Sequence, residues 1–216
     1  MSVAIVDYGC GNLHSVAKAF EHVLSEMNKT TSVWVTSDPN RVLEADHVVL
    51  PGVGAFFSCR EALRKTAGLE EALFEHTHRK GKPFLGICVG MQLLASRGLE
   101  HQVTEGLNWI EGDVVRIAPE SSPLKVPHIG WNTIEVMHAH PVLDGIQTGR
   151  DGLNAYFVHS YAFQVKNQEH CVAKTHYGQD LTAIVAKDTI IGMQFHPEKS
   201  QKLGLLLIRN FLRWQP

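Results

Sequence analysis

No run of about 20 apolar residues occurs in the chain, so no segment has the length a membrane-crossing helix needs. Charge of either sign is scarce and balanced: 20 Lys and Arg stand against 22 Asp and Glu, for a formal net charge of -2. That balance offers neither a basic face for nucleic acid nor an acidic tail. The first residues, MSVAIVDYGCGN, carry no basic leader and turn after a few apolar positions, so no signal peptide is expected. The four cysteines, at 10, 59, 88 and 171, form no CxxC pair, and reduced thiols in a cytoplasmic setting are expected. Internal repeats are absent, and the only Pro/Ser-rich stretch is the short APESSPLKVP. With 44% hydrophobic residues in 216, the expectation is one domain spanning 1–216.

What is present is an alternation of short β-branched runs with longer amphipathic ones. VAIVDY reads as a strand ending in a Gly-x-Gly turn, and Leu13, Val16, Ala17, Phe20, Val23 and Leu24 then recur at helical spacing. SVWVT, HVVLPG and PFLGIC read as further strands, the last a continuous apolar run of the kind buried on both faces of a parallel sheet. Residues 58–79 read as helical with a break at Gly68. After residue 105 the pattern becomes strand after strand: GDVVRIA, IGWNTIEVM, AYFVHSYAFQV, CVAKTHYG, TAIVAKD and IIGMQFH. QKLGLLLIRNFLRW closes the chain as an amphipathic helix whose apolar face serves core packing rather than a membrane. The expected fold is α/β, an open, mostly parallel sheet flanked by helices with an added antiparallel layer.

The stretch GICVGMQLL sets Cys88 between Gly86 and Gly90 where a strand should turn into a helix. Two readings are open. In one, the turn is a nucleophile elbow, small neighbours relieve a strained backbone, and the helix over VGMQLLAS aims its N-terminal N–H groups at the sulfur and favours thiolate. In the other, Cys88 is a small buried hydrophobe and the glycines allow close helix packing.

Acyl transfer by a thiolate needs a base and a group to orient it. His196 and Glu198, in GMQFHPEKS, lie two apart at the end of an expected strand, where alternate residues point the same way. A solvated turn with two polar residues is the competing reading. Donors for an oxyanion are available from the Val89 N–H and from LPGVGAF at 50–56, a Gly-rich loop that is otherwise an ordinary strand ending.

In this order PGVGAF, LGICVGMQLL and GMQFHPEKS resemble the class I glutamine amidotransferases. DYGCGNL, KVPHIGWN and YFVHSY are similar to the subfamily of glutaminase subunits serving imidazole glycerol phosphate synthase in histidine biosynthesis. The resemblance covers essentially the whole chain. It implies that Cys88 attacks the glutamine carboxamide, His196 protonates the departing ammonia and Glu198 orients His196. It further implies an oxyanion hole at Gly52, Val53 and Val89, with a loop that has to rearrange, and substrate contacts at Gln92, Glu100, Ser160 and Tyr161. Ammonia would pass to a separate (β/α)8 cyclase subunit, with Asn12, Trp131, Tyr156 and Lys199 at the interface or its hinge. Each of these four has a plainer reading: a helix N-cap, two half-buried strand aromatics and a surface charge.

Neither a cofactor nor a metal is expected. DYGCGN lacks the third glycine of a dinucleotide loop, and the paired histidines of HTH and MHAH have no third ligand beside them, so surface imidazoles are expected there. Cys10, Cys59 and Cys171 are expected to be packing thiols. Two other functions stay open: a related amidotransferase subunit feeding a different synthase, and a catalytically silent α/β binding module.

Overall fold

A computed structural model of the chain describes residues 1–29, 31–119 and 124–216; part of the Pro/Ser-rich stretch, 120–123, lies outside the described residues. The first half builds a parallel sheet with helical crossovers. Strand β1 (Ser2–Val6) leads through α1 (Leu13–Glu26) to β2 (Ser32–Thr36), then through α2 (Pro39–Glu44) to β3 (His47–Gly52). Helices α3 (Phe56–Lys65) and α4 (Leu69–Phe74) and a π-helical turn, Glu75–Arg79, carry the chain to β4 (Phe84–Cys88) and α5 (Val89–Gln92).

Local chemistry accounts for these boundaries. Val16, Ala17, Phe20, Val23 and Leu24 form the buried face of α1, and the Asn12 side chain caps it by accepting the Ser15 N–H at 3.4 Å. Helix α2, absent from the sequence reading, has only six residues, too few for a period to show; Asp38 caps it and Pro39 opens it. Gly68, at φ +75°, makes the expected break between α3 and α4. The helix expected over VGMQLLAS is a single turn, because beyond Gln92 the amides of Leu94 and Ala95 bond only three residues back, tightening the chain before Ser96 pairs with Gly112.

The second half supplies β5 (Arg97–Gly98), β6 (Thr104–Glu105), β7 (Gly112–Arg116), β8 (His128–Thr133), β9 (Glu135–Val136), β10 (Asn154–His159), β11 (Tyr161–Val165), β12 (Cys171–His176), β13 (Asp180–Lys187) and β14 (Ile190–Met193), then α6 (Gln201–Arg213). The main sheet runs β2-β1-β3-β4-β14-β13-β12-β9, parallel as far as β14 and antiparallel beyond it. Strands β12 and β13 therefore extend the parallel sheet instead of lying over it. The added layer is a β8–β10 ribbon and a small sheet ordered β11-β7-β5-β6. AYFVHSYAFQV, a single run in sequence, divides at Ser160 between those two sheets.

Every residue of β3 and β4 is buried, as a strand covered on both faces requires. Helices α1 and α6 pack on one face with Phe20 edge-on to Phe211, ring centroids 6.3 Å apart. Each such wholly buried phenylalanine contributes roughly 2–3 kcal/mol. The HTH reading is corrected at His76: it is fully buried with Nε2 3.2 Å from the Pro83 carbonyl, because the π-helical turn rotates it inward. Among the described residues, no helix is long and apolar enough to cross a membrane.

Candidate active site

Cys88 ends β4, a central strand of the parallel sheet, at the carboxyl edge where open α/β folds bind ligands. Its backbone sits at φ +55°, ψ -111°, a conformation that costs a residue with a Cβ roughly 1–3 kcal/mol. Its neighbours permit the geometry by close approach. A Cβ on Gly90 would lie 1.8 Å from the Leu50 carbonyl oxygen, and one on Gly52 would lie 2.7 Å from the Tyr8 hydroxyl. Strand β3 and helix α5 can thus touch behind the sulfur.

His196 and Glu198 come together differently from the strand alternation the sequence suggested. Strand β14 stops at Met193, and the pair spans the start of a 3-10 turn, Pro197–Lys199. His196 Nδ1 is 2.8 Å from Glu198 Oε1, with the two side chains 3% and 1% exposed. Since a carboxylate only accepts, Nδ1 carries the hydrogen and Nε2 is left to exchange a proton. Burial pushes the imidazolium down, but the adjacent Cys88 sulfur and the Glu198 carboxylate outweigh it and raise His196 to about 9. Ser200, buried, fixes the backbone: its hydroxyl donates to the His196 carbonyl and accepts the Tyr156 N–H.

Cys88 and His196 line one cavity of about 300 Å³ with Val53, Val89, Gln92, Glu100, His159, Ser160 and Tyr161. That volume is at the small end of the range for small-molecule sites. A groove of about 680 Å³ beside α4 is larger but has no cysteine in its wall, so volume does not choose the site. Among the described residues, the N–H groups of Val53 and Val89 donate to no protein acceptor. Gly52 pairs with Cys88 across the sheet.

Two expected substrate contacts are partly engaged already. Gln92 Nε2 lies 3.1 Å from the Tyr161 carbonyl and 3.0 Å from Gln194 Oε1, which spends both amide hydrogens and leaves its oxygen as an acceptor. Glu100 Oε2 accepts the Phe56 N–H at 2.7 Å, a carboxylate at the first turn of α3, with Oε1 outside that bond.

Three buried polar residues escaped the sequence reading. Gln194 Nε2 is 3.8 Å from Cys88 Sγ. His159 and His128 form a pair, His128 Nδ1 being 3.1 Å from His159 Nε2, and burial holds both rings down to about 4. The signal was faint: each lay inside a quoted motif, but their meeting depends on strands 31 and more residues apart.

The expected interface residues separate into two places. Asn12 is occupied as the cap of α1. Trp131, half exposed, and Tyr156 face each other across the β8–β10 ribbon with centroids 5.4 Å apart, and the Lys199 ammonium stands 5.9 Å over the Tyr156 ring.

A family model described as glutamine amidotransferase class-I matches residues 4–214. Proteins named imidazole glycerol phosphate synthase subunit HisH, from Rhodopseudomonas palustris, Agrobacterium fabrum and Bradyrhizobium diazoefficiens, are each 56% identical over 216 residues, covering 100% of both chains. In fold the chain is similar to a putative GMP synthase subunit from Thermoplasma acidophilum, at TM-score 0.68 and 21% identity over 99% of this chain and 92% of that one. It is also similar to a glutamine amidotransferase from Thermotoga maritima, at TM-score 0.64 and 18% identity over 99% and 96% of the two chains.

Proposed function

The chain belongs to the class-I glutamine amidotransferase family, and from that premise we propose that residues 1–216 act as one glutaminase domain. It hydrolyses glutamine and hands ammonia to the cyclase subunit of imidazole glycerol phosphate synthase. The observation that carries this reading is a positive-φ cysteine at the carboxyl edge of the sheet, sharing a small cavity with a histidine–carboxylate pair. The full-length likeness to proteins named as subunits of that synthase supports the choice of acceptor.

In this reading the Cys88 thiolate attacks the carboxamide carbon, and negative charge collects on the carbonyl oxygen, toward the Val89 N–H and the Gly52–Val53 segment. Collapse breaks the C–N bond as the His196 imidazolium gives its Nε2 proton to the leaving nitrogen, producing ammonia and a γ-glutamyl thioester. Neutral His196 then takes a proton from water while the hydroxide adds to the thioester. The C–S bond breaks, the thiolate returns, His196 is again protonated, and glutamate leaves with its carboxyl proton lost to solvent. Glu198 keeps Nδ1–H in place and favours the imidazolium through both steps. Gln92 Oε1, Glu100, Ser160 and Tyr161 hold the amino-acid end of the substrate.

Partnering is supported by the ribbon's outer face. Ile129, 58% exposed, and Trp131, 50% exposed, stand on it opposite Val158 and Tyr156, an apolar strip beside the cavity mouth. We place the docked (β/α)8 cyclase there, with Lys199 and the Asn12 end of α1 at the margin.

The test measures glutamate from the purified chain alone and with the cyclase and its nucleotide substrate. Weak basal turnover that rises on complex formation is expected, and equal rates would defeat the coupling. Cys88→Ala should abolish glutamine-dependent synthesis while added ammonia still supports the cyclase. Stimulation by a different synthase alone would move the acceptor elsewhere.

A further inference from the structure

A line of hydrogen bonds separate from the His196–Glu198 pair reaches the Cys88 sulfur, and it is anchored on an atom that admits no ambiguity. The Tyr161 carbonyl oxygen can only accept. Gln92 must therefore present its amide nitrogen to it, at 3.1 Å. The second hydrogen of that nitrogen needs an acceptor, so Gln194 turns its oxygen toward Gln92, at 3.0 Å. The Gln194 nitrogen is left facing Cys88 Sγ, at 3.8 Å. Two amides whose shape alone allows either orientation are thus set by one backbone carbonyl.

That carbonyl is itself held. His159 Nδ1, 2.8 Å away, must donate to it, which makes His159 Nε2 an acceptor and His128 Nδ1 its donor. Every bond in the series has one allowed direction. Gln194 is wholly buried, where an unpaired amide costs roughly 1–3 kcal/mol and an apolar side chain of equal length would cost nothing. An amide there makes sense as a donor.

We propose that Gln194 donates a hydrogen bond to the reacting sulfur, steadying the Cys88 thiolate before attack and again as it leaves the thioester, and that Gln92 keeps this donor aimed. The inference rests on Cys88 being the nucleophile of the proposed glutaminase. At 3.8 Å the contact is long even for sulfur, so its effect is that of one modest charge-assisted bond, about tenfold.

The experiment follows alkylation of Cys88 by iodoacetamide against pH in the full chain, with glutamate formation measured in parallel. In Gln194→Met, which keeps the length and removes both polar ends, the half-maximal pH of alkylation should rise by about one unit, the shift that a tenfold effect corresponds to. The kcat for glutamate should fall by a similar factor while KM changes much less. An unmoved alkylation profile in folded Gln194→Met overturns the proposal. Should that variant not fold, wild-type chain labelled with nitrogen-15 in glutamine side chains decides the matter. One buried side-chain amide should shift over the pH range of alkylation and stop doing so in Cys88→Ala; its absence overturns the proposal. If wild-type Cys88 neither alkylates nor turns over glutamine, the nucleophile assignment fails first and takes this inference with it.

Discussion

Ser200 donates its hydroxyl to the His196 carbonyl at 2.6 Å and accepts the Tyr156 N–H at 2.9 Å, while the His196 N–H donates to the Tyr156 carbonyl at 3.0 Å. One buried hydroxyl therefore ties the turn bearing His196 to the ribbon whose outer face is open. Ser200→Ala leaves the Tyr156 N–H without its acceptor, while the His196 carbonyl keeps the Lys199 N–H at 3.0 Å, which should lower unfolding free energy by about 1–3 kcal/mol. Urea denaturation measures this, and stimulated glutamate formation should fall more than basal. An unchanged denaturation midpoint would mean that this hydroxyl does not hold the two elements together.

Gly90 is fixed by contact. With the Leu50 carbonyl 1.8 Å from a Cβ at that position, Gly90→Ala must push α5 away from β3 and disturb the turn at Cys88. A loss of about 3 kcal/mol or more is expected, along with slower Cys88 alkylation. Normal stability and normal alkylation together would contradict the close approach.

Glu198→Gln keeps the shape beside His196 and removes the charge that supports the imidazolium. By comparison with other triads, kcat should fall on the order of 10²–10⁴-fold. The pH profile carries a sign. His196 is raised from its ordinary value near 6.5 to about 9, so the stability it contributes is complete below 6.5 and is lost as pH rises through about 9. Wild-type turnover should therefore decline on the alkaline side near pH 9, and Glu198→Gln should bring that decline to lower pH. Steady-state rates from about pH 6 to about 10 check it; an alkaline limb that does not move would detach Glu198 from His196.

The sheet's parallel half was readable because β3 and β4 are buried on both faces and so carry unbroken apolar runs, and because α1 shows its buried stripe at helical spacing. Cys88 stood out between glycines whose missing side chains are required by contacts the sequence does not contain. The His196–Glu198 spacing pointed to a pair for an incorrect local reason, a strand instead of a 3-10 turn. Ser160 hid a change of sheet because the strand-forming run continues through it, and pairing partners leave no local mark. Gln194 and His159 were hidden for the same reason: an amide inside an apolar strand ending means little until Gln92 and Tyr161 arrive from elsewhere in the chain.

Buried histidines make the fold sensitive to acid. His47, His76, His128 and His159 are each held at about 4, chiefly by burial, so the unfolded chain takes up their protons first. Their contribution is complete above about 6.5 and is lost as pH falls toward 4, each adding up to about 1.4 kcal/mol per pH unit in that window. His47 is the cleanest probe: burial outweighs both the nearby Asp46 and the Phe211 backbone, and its ring meets Phe211 edge-on at 5.2 Å. His47→Phe should flatten the pH dependence of unfolding between 6.5 and about 4 by one histidine's share. A slope equal to wild type would mean His47 is protonated in the folded state.

The β8–β10 ribbon alternates cleanly. His128, Gly130 and Asn132 lie over the interior beside Phe157, while Ile129 and Trp131 project outward with Val158 and Tyr156 opposite them. An apolar strip on that face, next to the cavity that holds Cys88, is where a partner gains most by covering surface and excluding water. Half-exposed Trp131 is the largest side chain on it and has the character of a binding hot spot. Trp131→Ala should weaken cyclase binding by about tenfold or more while the chain keeps its fold, since the residue packs on Tyr156 and not in the core. Calorimetric titration with the cyclase measures the affinity, and glutamate formation at saturating cyclase separates docking from activation. Binding as tight as wild type would shift the interface off this ribbon and leave its outward aromatics unexplained.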